Sequence, residues 1–194
     1  MIDEKTLAGK QQLCVSNDSC LLVIDIQTRL TAAMPVKVLD RLKRNSTMLL
    51  KTASVLAIPV FVSQQYPQGL GSVEPDIEAL LPGNHKQYEK TCFSCANVNK
   101  FMQDLRDSGR TQVILIGLEA HVCVLQTAID LHTSGYHAFV VLDAVCSRQR
   151  ENYENAMQRL QHLGITVCNS ESVIFEWLRD ANHQQFKTVS ALIK

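Results

Sequence analysis

No run of apolar residues in this chain approaches the roughly 20 that a helix needs to cross a bilayer. No block of like charge interrupts it either. Nineteen basic and nineteen acidic residues are interspersed, for a formal net charge of zero. The first absence argues against a membrane partner. The second argues against a nucleic-acid footprint, which needs clustered Lys and Arg. Histidine is sparse, and Cys92-Phe93-Ser94-Cys95 stands without a second C-x-x-C or an H-x-x-x-H. A zinc site is therefore incomplete on spacing, and a redox pair stays open. There is no internal repeat and no low-complexity tract. The opening MIDEKTLAGKQQLCVSN has neither a secretory apolar core nor the acid-poor, arginine-rich look of a transit peptide. Cysteine, by contrast, is not scarce. The seven are an odd number scattered through apolar segments, the pattern of a reduced, intracellular and most simply cytoplasmic protein rather than a disulfide framework.

What is present is hydrophobic patterning. At 194 residues and 46% hydrophobic, the chain has material for one α/β domain over residues 1–194 with a sizeable core. Short apolar runs read as buried strands at 19–25, 58–62, 113–116, 137–145 and 165–168, with a weaker candidate at 85–91. Helical spacing reads over 35–57, from Ser94 as a cap through Leu105, from Val122 to Ser134, over 150–163, from Ser170 through Trp177, and last around Phe186–Ile193. The glycine- and proline-bearing stretch 63–76 reads as a loop. Strands alternating with helices imply a parallel sheet covered on both faces.

The stretch 111–130 organises the rest. Val113-Ile114-Leu115-Ile116 is a buried strand, Gly117 ends it, and Cys123 falls in the first turn of the helix that follows. Free cysteines are mostly inert packing residues. At the carboxyl end of a strand in an open α/β sheet, where ligands bind, and near unpaired helix N–H groups that favour a thiolate, a nucleophile is the competing reading. Asp25 ends the first strand and is either a turn residue or a site carboxylate. Lys90 ends the weakest strand and, taken alone, is a solvated surface lysine. Spacing does not bring the three together.

A resemblance does. SCLLVIDIQ, YEKTCFSC and LIGLEAHVCVLQTAIDL, in that order, are similar to the isochorismatase-like cysteine hydrolases. QQYPQGLG, VLDAVCSR and QFKTVSALIK resemble the isochorismatase domain-containing protein 2 subgroup, in which related kinetoplastid and nematode sequences carry a mitochondrial-associated ribonuclease label. The resemblance implies a three-layer α/β/α fold, with a Rossmann-like six-stranded parallel sheet in order 3-2-1-4-5-6. It implies a triad of Asp25, Lys90 and Cys123, and a cis peptide at Leu118–Glu119. The backbone N–H groups of Glu119 and Cys123 would form an oxyanion hole, and Gln27, Gln65, Tyr66 and Phe93 would line a substrate pocket. The implied chemistry is amide or other acyl hydrolysis through a thioester, with Lys90 and the helix N-terminus lowering the thiol pKa. Nicotinamidase relatives hold a metal on histidines after the second strand. Here that region reads VSQQYPQGLG, so no metal and no cofactor is expected. The expected partners are a small-molecule substrate and further copies of the chain. Two other readings stand beside the hydrolase. One is a ribonuclease or RNA-associated protein, with mitochondrial association. The other is a non-catalytic oligomeric scaffold, in which Cys123 is no more reactive than Cys14 or Cys168.

Overall fold

The computed structural model describes residues 13–193; residues 1–12, which hold most of the N-terminal segment read for a leader, lie outside that range. Six parallel strands form one sheet in the order β3-β2-β1-β4-β5-β6. They are β1 (Ser19–Ile24), β2 (Val60–Gln65), β3 (Lys86–Lys90), β4 (Gln112–Gly117), β5 (His137–Val145) and β6 (Thr166–Cys168). Every residue of β1, β2 and β4 is buried, as central strands covered on both faces require. The edge strands are different. β3 alternates exposed and buried residues, and β6 is half-buried throughout.

Alternate side chains of the central strands feed two cores. Leu21 and Val23 pack with Leu42, Leu49 and Ala53 of α2 (Val36–Val55) and with Val173 and Trp177 of α8 (Ser170–Leu178). Cys20, Leu22 and Ile24 pack on the opposite face. Their partners are Phe101 and Leu105 of α5 (Asn99–Asp107), Ala128 and Leu131 of α6 (Leu125–Thr133), and Ala156 and Leu160 of α7 (Arg150–His162). Burying each large aliphatic side chain contributes about 1.5–3 kcal/mol, so β1 and β4 anchor both layers. Among the described residues there are also four short helices, α1 (Thr28–Thr31), α3 (Pro67–Leu70), α4 (Pro75–Glu78) and α9 (Phe186–Ser190).

Three expectations change. The second strand extends past Val62 to Gln65, because Ser63 pairs with both β1 and β3, and Gln64 and Gln65 pair with β3. The remainder of the 63–76 loop contains α3 and α4, each with proline in its first turn. Ser94 caps a 3₁₀ turn (Cys95–Asn97) by accepting from Ala96 N–H, and α5 begins only at Asn99. No helix among the described residues is long and apolar enough to cross a membrane.

Chain order turns back between β1 and β4, so their carboxyl ends open the crevice that such a switch creates. Gly117 makes the close approach possible. Its φ is +124°, and a Cβ there would lie 1.9 Å from the Ile24 carbonyl oxygen. Only glycine fits both conditions.

Candidate active site

Asp25 leaves β1 in a left-handed conformation, φ +51°, which L-residues seldom adopt outside turns and functional sites. Its N–H donates to Ser63 O at 3.1 Å and its carbonyl accepts from Gln27 N–H at 2.8 Å, so the chain turns sharply at the strand end. The carboxylate is fully buried and fully engaged. Oδ1 accepts from the Ser63 hydroxyl at 2.7 Å, and Oδ2 accepts from Lys90 Nζ at 2.7 Å. Lys90 reaches it from the end of β3, two strands away. The lysine side chain has no solvent exposure, and its second partner is Gln65 Oε1 at 2.7 Å. Burial opposes the lysine's charge, but the Asp25 carboxylate beside it outweighs burial and holds its pKa above the ordinary value.

Cys123 is 6% exposed and lies in a π-helical turn (Ala120–Val124) that runs directly into α6. Such turns are frequent at functional sites. The expected lowering of the thiol pKa does not follow. Burial pushes the Cys123 thiol well above its ordinary value, and the Asp25 carboxylate raises it further. Lys90 pulls the other way, but its charge is already engaged by Asp25. The resting arrangement is therefore a neutral thiol beside a buried ion pair. A second thiol stands close by. Cys95 N–H donates to Thr127 Oγ1 at 2.9 Å, one turn after Cys123, and burial with Asp25 nearby pushes the Cys95 thiol up to about 11. The two cysteines of the C-F-S-C stretch diverge. Cys92 Sγ turns to the local Ser94 carbonyl, and both thiols are free.

The Leu118–Glu119 peptide is cis. The N–H of Glu119 has no acceptor among the described residues, whereas Leu118 N–H donates to Ile24 O and Ala120 N–H to Cys146 O. The Glu119 side chain turns away from Cys123. Its carboxylate meets Arg148 Nε at 2.8 Å and Arg148 N–H at 3.3 Å, so it does not compete for an anion in the crevice.

The residues expected to line a substrate pocket divide into two kinds. Gln27 is consumed by the protein. Its amide donates to Gln65 O (3.0 Å) and Gly71 O (2.7 Å), and its oxygen accepts from Gln65 N–H (2.7 Å). Gln65 is likewise committed to Lys90 and to Thr91 O. Both position the site rather than face a substrate. Tyr66 and Phe93 are half-exposed and follow the ends of β2 and β3 in the chain. Ser63 and Cys95 are the site residues that sequence reasoning missed. Serine in a glycine- and proline-bearing stretch, and a cysteine in a C-x-x-C, each carried a stronger competing signal. Among the described residues, no group of three or more His, Cys, Asp or Glu side chains could hold a metal ion.

A doubly wound parallel sheet, with a cysteine ahead of a helix and a buried Asp–Lys pair at the switch point, defines a three-layer α/β protein with its reactive groups in the switch-point crevice. Residues 19–172 match the isochorismatase domain, and the chain belongs to that family. It is 40% identical over 148 residues to isochorismatase domain-containing protein 2 of Bos taurus, spanning 75% of this chain and 70% of that protein. Among solved structures it is similar to the MAR1 ribonuclease of Caenorhabditis elegans, at TM-score 0.88 and 34% identity, covering 94% of this chain and 92% of that one. It also shares its fold with the YcaC gene product of Escherichia coli, described as an octameric hydrolase of unknown specificity. That match has TM-score 0.87 and 21% identity, covering 95% and 90% of the two chains. Family membership supports a hydrolase-like function.

Proposed function

We propose that the chain is a metal-independent cysteine hydrolase of small amides or other acyl compounds, with Cys123 as nucleophile, Asp25 as general base and acid, and Lys90 as the cation that governs both. The observation that carries this reading is the fully buried Lys90–Asp25 pair, 2.7 Å apart, beside Cys123 at the β1–β4 switch. A buried pair with no solvent screening is a weak device for stability and a strong one for holding a carboxylate ready to take a proton.

In the first half-reaction the Cys123 proton passes to an Asp25 oxygen as sulfur bonds to the carbonyl carbon. The C=O π pair moves to oxygen, where the unpartnered Glu119 N–H and the Cys123 N–H are the proposed donors. Collapse breaks the C–N bond, and the departing amine takes the proton from Asp25. Water then attacks the thioester, giving a proton to Asp25. The C–S bond breaks, and the proton returns to sulfur. Because the thiol is neutral at rest, proton transfer and attack are coupled. Tyr66 and Phe93 offer apolar contact to the acyl body.

A panel of small amides and acyl compounds, screened against wild type and Cys123→Ala with intact-mass readout, tests this. A substrate-dependent mass gain on the wild type that is hydroxylamine-labile and absent in the variant is expected. Turnover that survives in Cys123→Ala would end the reading. The name borne by the nematode relative motivates a second assay. RNA cleavage by the purified chain that is lost in Cys123→Ala would move the substrate class to RNA, and persistence in the variant would mark a contaminant. Self-association is read by light scattering on the same samples.

A further inference from the structure

Between the start of α2, the end of β5 and the start of α7 lies a cavity of about 340 Å³ that the chemistry above does not use. Pro35, Val38, Cys146 and the Tyr153 ring give it apolar walls, and Arg41, Ser147 and Arg150 bring polar groups to it. Arg41 is the anomaly. Its Nε is buried with no hydrogen-bond partner, and the guanidinium meets no carboxylate among the described residues. The arginine as a whole is half-buried, but a buried N–H without an acceptor is costly.

Every nearby carboxylate is already engaged. Glu154, at the cavity wall, is held by Arg150 Nε at 2.6 Å. Glu119 is held by Arg148. Asp143 accepts from both the N–H and the hydroxyl of Ser170 at 2.8 Å. Apart from Arg150, which Glu154 engages, the other groups lining the cavity are uncharged. Cys146 and Tyr153 both feel its positive charge, burial pushes the Cys146 thiol up to about 12, and the Tyr153 hydroxyl is committed to Leu142 O at 2.8 Å. The N-terminal ends of α2 and α7 also meet here, with neither Pro35 nor Gln149 supplying a side-chain cap, so the local field favours an anion.

We propose that this cavity is a second binding site that takes a small organic oxyanion, its charged end on Arg41 and its apolar body against Pro35, Val38 and Tyr153. The site is distinct from the Cys123 crevice: none of Asp25, Lys90 and Cys123 lines it.

Titration calorimetry on the full chain tests it, with benzoate and phenyl phosphate as probes and benzamide as the neutral isostere. One or both anions should bind saturably, once per chain, and at least about tenfold more tightly than benzamide, the discrimination expected of one charge-assisted contact. The preferred anion identifies the head group as carboxylate or phosphate. Arg41→Met should weaken binding by about tenfold or more. Val38→Phe, which fills the cavity and leaves the charge, should abolish it, so the test does not depend on one variant folding. Cys123→Ala should bind as wild type does. Equal binding of benzamide, retention of affinity in both cavity variants, or loss of binding in Cys123→Ala would each overturn the proposal. So would dissociation of an oligomer by Arg41→Met in light scattering, because Arg41 would then serve a carboxylate of another copy.

Discussion

Strand β3 presents a lysine to an aspartate at each of its ends, and the two pairs sit in different media. Lys86 meets Asp104 at 2.8 Å with its side chain 47% exposed, while Lys90 meets Asp25 at 2.7 Å with no exposure on either side. The distances are nearly equal, so distance is not what separates them. Water screens the first pair, and Lys100 and Tyr88 also hold Asp104, so losing one partner leaves two. The second pair has only protein around it, and each group depends on the other for its charge. An ion pair of the first kind is a modest surface feature. One of the second kind costs desolvation to assemble and is strongly destabilising to break.

Lys90→Met should therefore have the largest effect. Leaving the Asp25 carboxylate buried without its cation should cost about 3–5 kcal/mol, read as a lower urea midpoint, together with loss of turnover. Pairing it with Asp25→Leu should recover much of the stability and none of the activity. A Lys90→Met cost no larger than that of Lys86→Met would erase the contrast between the two ends of the strand.

The thiol supplies the next test. With its pKa raised by burial and then by Asp25, Cys123 in the unliganded protein is protonated at neutral pH. Its alkylation by iodoacetamide, followed by peptide mapping, should climb steadily from pH 7 to about pH 10, with no plateau near pH 6. Lys90 acts to lower the thiol pKa, so Lys90→Met should slow Cys123 alkylation at every pH in that range. A plateau at pH 6 would restore the resting thiolate and remove proton transfer to Asp25 from the first step.

Gln65→Leu should fall below both. It takes one of Lys90's two acceptors and orphans Thr91 O, a loss of about 1–3 kcal/mol for a buried hydrogen-bond partner. Reduced stability with the Asp25 contact retained would place Gln65 as a positioning residue; no change in stability or turnover would remove it from the site.

These residues also mark where sequence reasoning succeeded and stopped. β1 and β4 were legible because strands buried on both faces must be apolar throughout, and that pattern survives without any partner being known. Helix α6 was legible from Leu125 and Ile129, but the π-helical turn ahead of it, which carries Val122 and Cys123, was read as that helix's first turn. The strand order and the grouping of Asp25, Lys90 and Cys123 came through resemblance, since no local pattern states that an edge-strand lysine crosses β2 to reach β1. Ser63 and Gln65 were read as loop, because polar residues followed by glycine and proline look solvated even when they end a buried strand. The direction of the thiol's pKa shift was missed for a related reason. The helix N-terminus and the lysine are visible as residues, whereas burial and the lysine's prior commitment to Asp25 are properties of the packed whole. Arg41 carried no signal at all, because an arginine on a helix is ordinary until its surroundings leave it without a partner.

The smallest effect belongs to the exposed end of β3, and it is the sharpest control. Lys86→Met should cost no more than about 1 kcal/mol at neutral pH and leave turnover unchanged, since the pair is screened and Asp104 keeps two other donors. Its pH dependence has a definite sign. The Lys86 hydrogen bond, followed by those of Lys100 and Tyr88, holds the Asp104 carboxyl down to about 2, against the opposing effect of burial. A folded-state pKa below the unfolded one adds stability that is complete above about pH 4 and disappears as pH falls through the folded value. The difference between wild type and Lys86→Met should accordingly be full at pH 6 and shrink toward zero near pH 2, measured by urea denaturation at the two pH values. A difference that stays constant down to pH 2 would mean that Lys86 acts through its aliphatic stem rather than its charge. The two ends of β3 would then differ in kind, and not only in the medium that surrounds the same interaction.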